Sequence, residues 1–262
     1  MRTFLQDIKI IGAMLISREG NILHYTIPSL LRWCDWVLII LDNENKESRR
    51  IAQHYRGIYP NRIRIARSGF PRATQRDEMR ARGLFQRFKK LQGPIRETVF
   101  KYLRNCLVNG EKIDILVFPD ADEIFSDYFP KLLNDFWKNK KVKAITLKPV
   151  GVYGDIKTIM RKSMSGHTRV MKFFPELTAI PYRTLCCYKP LTRKDRVAIT
   201  RVLIHLAHLT SERKNWRKKH WKFKYRPDEP LWKLDKDINK MSPLEIGEVF
   251  KRKPDLTIKE YE

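Results

Sequence analysis

The stretch Asp114-Ile115-Leu116-Val117-Phe118-Pro119-Asp120-Ala121-Asp122-Glu123-Ile124-Phe125 ends an apolar run on three acids within four residues. Ile115 to Phe118 is short, aliphatic and aromatic, the composition of a strand covered on both faces. Such strands belong to α/β domains, whose ligands sit outside the carboxyl ends of the strands. A chain leaving a strand there delivers its carboxylates to that end. Asp120 and Asp122 are one residue apart, so both can reach one ion. Hard oxygen ligands of this kind suit Mg²⁺ or Mn²⁺, with substrate phosphates completing the shell. An acidic turn or helix cap after a buried strand gives the same pattern, so the triplet alone leaves both readings open.

Working outward, residues 8–16, 36–41 and 62–66 read as strands, and 21–34 and 46–59 as helices. Pro28 is expected to kink the first helix. This β-α-β-α-β order with short connections predicts a parallel sheet. Residues 95–108 read as a helix leading into the acidic strand, and 128–138 as a helix after the 120–127 turn. Beyond it, 142–150 reads as a strand and 151–164 as a glycine-bearing loop. Residues 168–174 and 183–188 read as paired strands, and 197–209 is a long apolar stretch holding His205 and His208. The fold class is therefore α/β, a mostly parallel sheet with flanking helices. The expected layout is a catalytic domain over 1–209, with a basic insertion at about 68–94 near its mouth, and a basic, aromatic-rich helical extension over 210–262 packed on it.

Charge narrows the partners. Fifty-four Lys and Arg stand against 29 Asp and Glu, a net charge of +25. That much self-repulsion destabilises a compact state unless a polyanion is near. Residues 213–226 carry eight Lys or Arg and no acid, interleaved with Trp216, Trp221, Phe223 and Tyr225. Such a stretch can stack on bases or sit at a lipid headgroup boundary, and it can equally be an amphipathic helix packed on the core. No apolar run approaches the ~18 residues of a membrane span, and the opening residues do not continue into a signal-peptide pattern. The expectation is a cytoplasmic protein, in a host cell if viral, with room for peripheral membrane contact. Cys34, Cys106, Cys186 and Cys187 form no C-x-x-C pair and read as reduced. P-loop, G-x-G-x-x-G, G-x-S-x-G and H-E-x-x-H patterns are absent, which removes the commonest NTPases, dinucleotide oxidoreductases, serine hydrolases and zinc proteases.

Four pieces now stand in chain order: Ser17-Arg18-Glu19 after the first strand, Asp42-Asn43 after the second, Arg104-Asn105 on the helix before the acidic strand, and Asp120-Ala121-Asp122-Glu123. A parallel sheet gathers such strand ends at one edge. Together these pieces resemble the GT-A glycosyltransferases, family 2 and its close relatives, over about residues 8–150. The resemblance implies that Glu19 and Asp42 touch the nucleoside of a nucleotide-sugar, UDP-sugar favoured, with Ser17, Arg18, Arg104 and Asn105 near the donor. It implies that Asp120 and Asp122 hold Mn²⁺ or Mg²⁺ on the donor diphosphate, with His205 as a further metal ligand. A neutral imidazole suits that role, although a histidine on an apolar strand can equally be a core residue.

An inverting transferase needs a carboxylate to take the acceptor proton. The family's usual late acid motif is not recognisable, and Glu176 and Asp155 are the candidates. The leading expectation is a metal-dependent hexosyl- or pentosyltransferase acting on a polyanionic acceptor, with DNA carrying a hydroxylated base favoured, as in viral DNA modification. The alternatives are transfer to lipopolysaccharide or a lipid-linked glycan at an anionic membrane surface, and a non-catalytic nucleic-acid-binding module on the same fold.

Overall fold

The computed structural model describes residues 7–16, 19–41, 46–68, 85–153, 155–160, 166–180, 188–208, 231–233 and 237–241, with 85–93 and a few strand positions as backbone only. In chain order these form β1 (Ile10–Ile16), α1 (Leu23–Trp33), β2 (Trp36–Leu41), α2 (Lys46–Ile58), β3 (Ile63–Arg67), α3 (Phe85–Val108), β4 (Ile115–Val117) and β5 (Glu123–Phe125). Then follow α4 (Phe129–Lys138), β6 (Ala144–Tyr153), β7 (Asp155–Met160), β8 (His167–Lys172), β9 (Thr178–Ala179), β10 (Tyr188–Lys189), β11 (Arg196–His208) and β12 (Leu231–Lys233).

The first four strands to join the sheet run parallel in the order β3-β2-β1-β4. β1, β2 and β4 are apolar at successive positions because each is buried on both faces, while the edge strand β3 buries only Ile63. In β2, Val37, Ile39 and Leu41 meet one core while Trp36, Leu38 and Ile40 meet the other. In β4, Ile115 and Val117 face the first core, Leu116 the second. Helices α1, α2 and α4 cover the first face, through residues such as Leu30, Ile51 and Phe136. Helix α3 covers the second with Val99, Phe100 and Leu103. Gly12 on β1 permits the close approach of α1: a Cβ there would stand 3.0 Å from Cys34 Sγ. The architecture is α/β with helices on both faces of the sheet, as predicted from the sequence.

Past β4 the sheet turns antiparallel. β8 pairs with β4, β6 with β8, β7 with β6, and β12 with β7. β11 runs parallel to β6 and then antiparallel to β5. Several local expectations change here. Residues 151–164 contain the β6–β7 hairpin rather than only loop. The 168–174 strand pairs with β4 and β6, while Tyr188 pairs with Ala179 in a separate two-stranded ribbon. Helix α3 begins at Phe85 and carries Pro94 inside it, so the end of the anticipated insertion is helical. Helix α1 likewise continues past Pro28. From the extension, β12 joins the sheet edge, and Ile238 and Met241 pack into a third core with Ile124, Ile204 and Leu206. The basic stretch 213–226 and residues 69–84 lie outside the described residues.

Candidate active site

The acidic turn is built by two neighbouring strands. The Phe118 N–H donates to the Arg169 carbonyl at 2.7 Å, extending the β4–β8 pairing one residue past β4. The chain then turns, with the Glu123 N–H donating to the Asp120 carbonyl at 3.0 Å. It returns as β5 beside β11, where His205 is the register partner of Glu123. The Leu206 N–H donates to the Asp122 carbonyl at 2.7 Å. This pairing brings together residues far apart in sequence: Asp122 Oδ1 lies 3.5 Å from His205 Nε2. Both are buried, Asp122 at 5% and His205 at 6% exposure.

Asp120 turns its carboxylate toward guanidinium groups. Arg96 Nη2 donates to Oδ1 at 2.8 Å, Arg169 Nη1 donates to Oδ1 at 3.2 Å, and Arg169 Nη2 donates to Oδ2. Arg169 also donates to Glu123 Oε1 at 2.7 Å, and Glu123 Oε2 accepts the Asp120 N–H at 2.8 Å. Burial alone would raise the Asp120 pKa, but Arg169 and then Arg96 outweigh it and hold the carboxyl well below its usual range. Glu123 goes the other way. Burial pushes it up to about 7, with Arg169 opposing and Asp120 adding to the rise. Arg96 also lies 5.0 Å above the Phe118 ring and donates to the Tyr188 hydroxyl at 3.4 Å.

The other anticipated residues are placed as follows. Glu19 is half-buried beyond β1, its carbonyl accepting the Ile22 N–H at 3.2 Å. Ser17, Arg18 and Asp42 lie outside the described residues. Arg104 donates to Glu97 and, at 2.9 Å, to the Leu177 carbonyl. It stands about 12 Å along α3 from Arg96, at ~1.5 Å per residue, so Arg96 is the α3 arginine that meets the acidic turn. Asn105 is exposed. Glu176 is exposed and follows Phe173, whose N–H donates to the Asp114 carbonyl at 2.9 Å. That puts Glu176 past the amino end of β4, opposite Asp120. Asp155 opens β7 as the partner of Tyr153, next to the Gly151–His205 pair, so its backbone stands at the same end as Asp122. His208 pairs with Tyr153, described by backbone alone.

Arg96, Arg169 and Glu123 are the participants that the motif reading passes over. Their mark in the sequence is a charge at a core position. Arg96 shares the α3 face of Val99, Phe100 and Leu103, and Arg169 shares the β8 face of Met171. A charge placed so needs a buried partner.

Among the described residues no three His, Cys, Asp or Glu side chains gather as a metal-holding group. Asp122 and His205 nonetheless fit Mn²⁺ or Mg²⁺ as a pair, a hard carboxylate beside an imidazole, with a donor diphosphate and water able to fill the remaining positions.

No protein-family model and no curated protein matches the chain. Solved structures with partial similarity include S. aureus TarS 1–349 in complex with UDP-GlcNAc, at 15% identity and TM-score 0.37, covering 56% of this chain and 36% of that one. Another S. aureus TarS structure matches at 15% identity and TM-score 0.38, over 56% of this chain and 22% of its own. GalNAc-T7 with UDP, GalNAc and Mn²⁺ matches at 13% identity and TM-score 0.36, over 63% of this chain and 25% of its own. The chain thus spans well under half of each. The chemistry rests on the side chains and not on these likenesses.

Proposed function

We propose that this chain is a family 2-like, metal-dependent glycosyltransferase that moves a sugar from a nucleotide-sugar, UDP-sugar favoured, to a hydroxyl on a polyanionic acceptor. The observation carrying the reading is the approach of Asp122 and His205, delivered by different strands to the carboxyl end of β4. These two would hold Mn²⁺ or Mg²⁺, and the bound ion would neutralise the diphosphate as it leaves. Burial of both side chains fixes their orientation and keeps bulk water from competing for them. Glu19 and Asp42 are assigned to the nucleoside, following the motif resemblance. Asp155 is assigned as the base, because its backbone stands at the metal end while Glu176 stands at the other. The favoured acceptor is DNA carrying a hydroxylated base, supported by the net charge of +25.

The test is hydrolysis of a UDP-sugar panel with Mn²⁺. Chelation should abolish nucleotide release, and Asp122→Ala and His205→Ala should each lower it about 100-fold or more. Turnover largely retained in Asp122→Ala would refute the assignment.

A further inference from the structure

We infer that Arg169 is a positioning residue that latches the acidic turn, and that Asp120 is the anchor for this latch rather than a metal ligand. The inference rests on the glycosyltransferase reading of the Asp122–His205 pair.

Arg169 is fully buried, at 0% exposure. Its backbone carbonyl accepts from Phe118, so β8 fixes it against the end of β4. Its guanidinium reaches both ends of the turn: Asp120 through two nitrogens, and Glu123 at 2.7 Å. Glu123 then closes the ring by accepting the Asp120 N–H at 2.8 Å. Asp122 lies inside this closed ring of contacts and faces His205. A planar fork that spans two carboxylates is a property of arginine; a lysine ammonium is a point charge and cannot reproduce it.

Both Asp120 oxygens accept from guanidinium groups, Oδ1 from Arg96 and Arg169 and Oδ2 from Arg169. An ion seated on Asp120 would have to displace those donors. The two carboxylates of the triplet therefore divide the work: Asp120 is pulled toward β8 and α3, and Asp122 toward β11.

The two roles make opposite predictions for metal affinity. If Arg169 only competes with an ion for Asp120, removing it frees a ligand and affinity rises. If it holds the turn, removing it loosens Asp122 and affinity falls. Mn²⁺ retention in the presence of UDP, followed by the electron paramagnetic resonance of free Mn²⁺, reads the difference. Arg169→Lys should weaken retention about tenfold or more, on the scale of residues that orient metal ligands. Because stranding Asp120 and Glu123 can unfold the domain, the neutral quadruple variant Arg96→Met/Asp120→Asn/Glu123→Gln/Arg169→Met is the companion. It removes the latch together with the second guanidinium on Asp120, so neither side of these pairs is left charged. It should keep a thermal midpoint close to the parent, keep UDP affinity without metal, and still lose Mn²⁺ retention about tenfold. Unchanged or tighter Mn²⁺ retention in a folded variant overturns the latch alone. Failure of the parent protein to retain Mn²⁺ with UDP overturns the glycosyltransferase reading, and the latch with it.

Discussion

Arg96 shows how one side chain can serve packing and electrostatics together. It is nearly buried, lies against Phe118, and supplies one of the two guanidiniums on Asp120. Removing one partner of a buried ion pair costs ~3–5 kcal/mol when the other charge is stranded. Arg169 remains on Asp120, so Arg96→Ala should cost less, about 2–3 kcal/mol in urea unfolding. Arg96→Lys should recover less than half of that, since an ammonium neither forks nor stacks as a guanidinium does. Full recovery by lysine would mean that charge alone matters at this position. The closeness of Asp120 and Asp122 at one turn is legible because both follow a strand end, whereas His205 lies inside β11 and is singled out only by the resemblance. Arg96 and Arg169 are harder to read, because a charge at a core position signals the need for a buried partner without naming it. Only the register of β8 beside β4 shows that Arg169 belongs to the acidic turn.

At the scale of elements, Asp195 ties together the starts of two parallel strands. Its carbonyl accepts the Lys143 and Ala144 N–H groups at 2.9 and 3.0 Å, joining β6 to the turn before β11. Its carboxylate accepts the Thr192 N–H at 2.8 Å and the Thr192 hydroxyl at 2.6 Å, and pairs with Lys143 Nζ at 3.0 Å. The hydrogen bonds from Thr192, helped by Lys143 and opposed by burial, pull its pKa from 3.8 down to about 2. A carboxyl depressed in the folded state adds stability above its unfolded value and loses it as pH falls through the folded one. The contribution is about 2 kcal/mol, lost between about pH 4 and pH 2. Asp195→Asn should therefore be less stable than the parent at neutral pH, with the gap closing on acidification. Denaturant curves at stepped pH would show it, and a gap independent of pH would remove the assignment. The parallel strands and helices α1, α2 and α4 are legible from apolar patterning. The β6–β7 hairpin is not, because Gly151 and Gly154 read as breakers while pairing with β8 and β11 holds β6 extended. Helix α3 reads short because Pro94 looks like a start. β5 has only three residues, and pairing with β11 rather than propensity makes it a strand.

Among the described residues, one group of exposed cations lies away from the acidic turn. The acidic turn and His205 occupy the carboxyl end of the parallel strands. Exposed Lys138, Lys140, Lys141, Lys143, Arg193 and Lys194 gather at the other end, where β6 and β11 begin. Ala144, where β6 begins, and Gly151, the register partner of His205, are about 23 Å apart at ~3.3 Å per residue. Asp120 and Glu123 are matched internally by Arg169 and Arg96, so the net charge of +25 is carried by other residues. Among the described residues no helix is long and apolar enough to cross a membrane. A polyanion held by many such contacts releases counterions, and its affinity falls steeply with salt. For 6–10 phosphate contacts the loss between ~50 and ~200 mM salt is about 10³-fold or more. Duplex DNA should show that loss. Reversing Lys140, Lys141 and Lys194 to glutamate should flatten the salt slope by about 3 while leaving UDP-sugar hydrolysis unchanged, provided that all three contact phosphate. Weak retention of duplex DNA even at low salt would eliminate DNA as the acceptor. Tighter retention on anionic vesicles than on DNA, at equal salt, would instead move the acceptor to a membrane surface, where each lysine near the headgroups is worth about 1 kcal/mol.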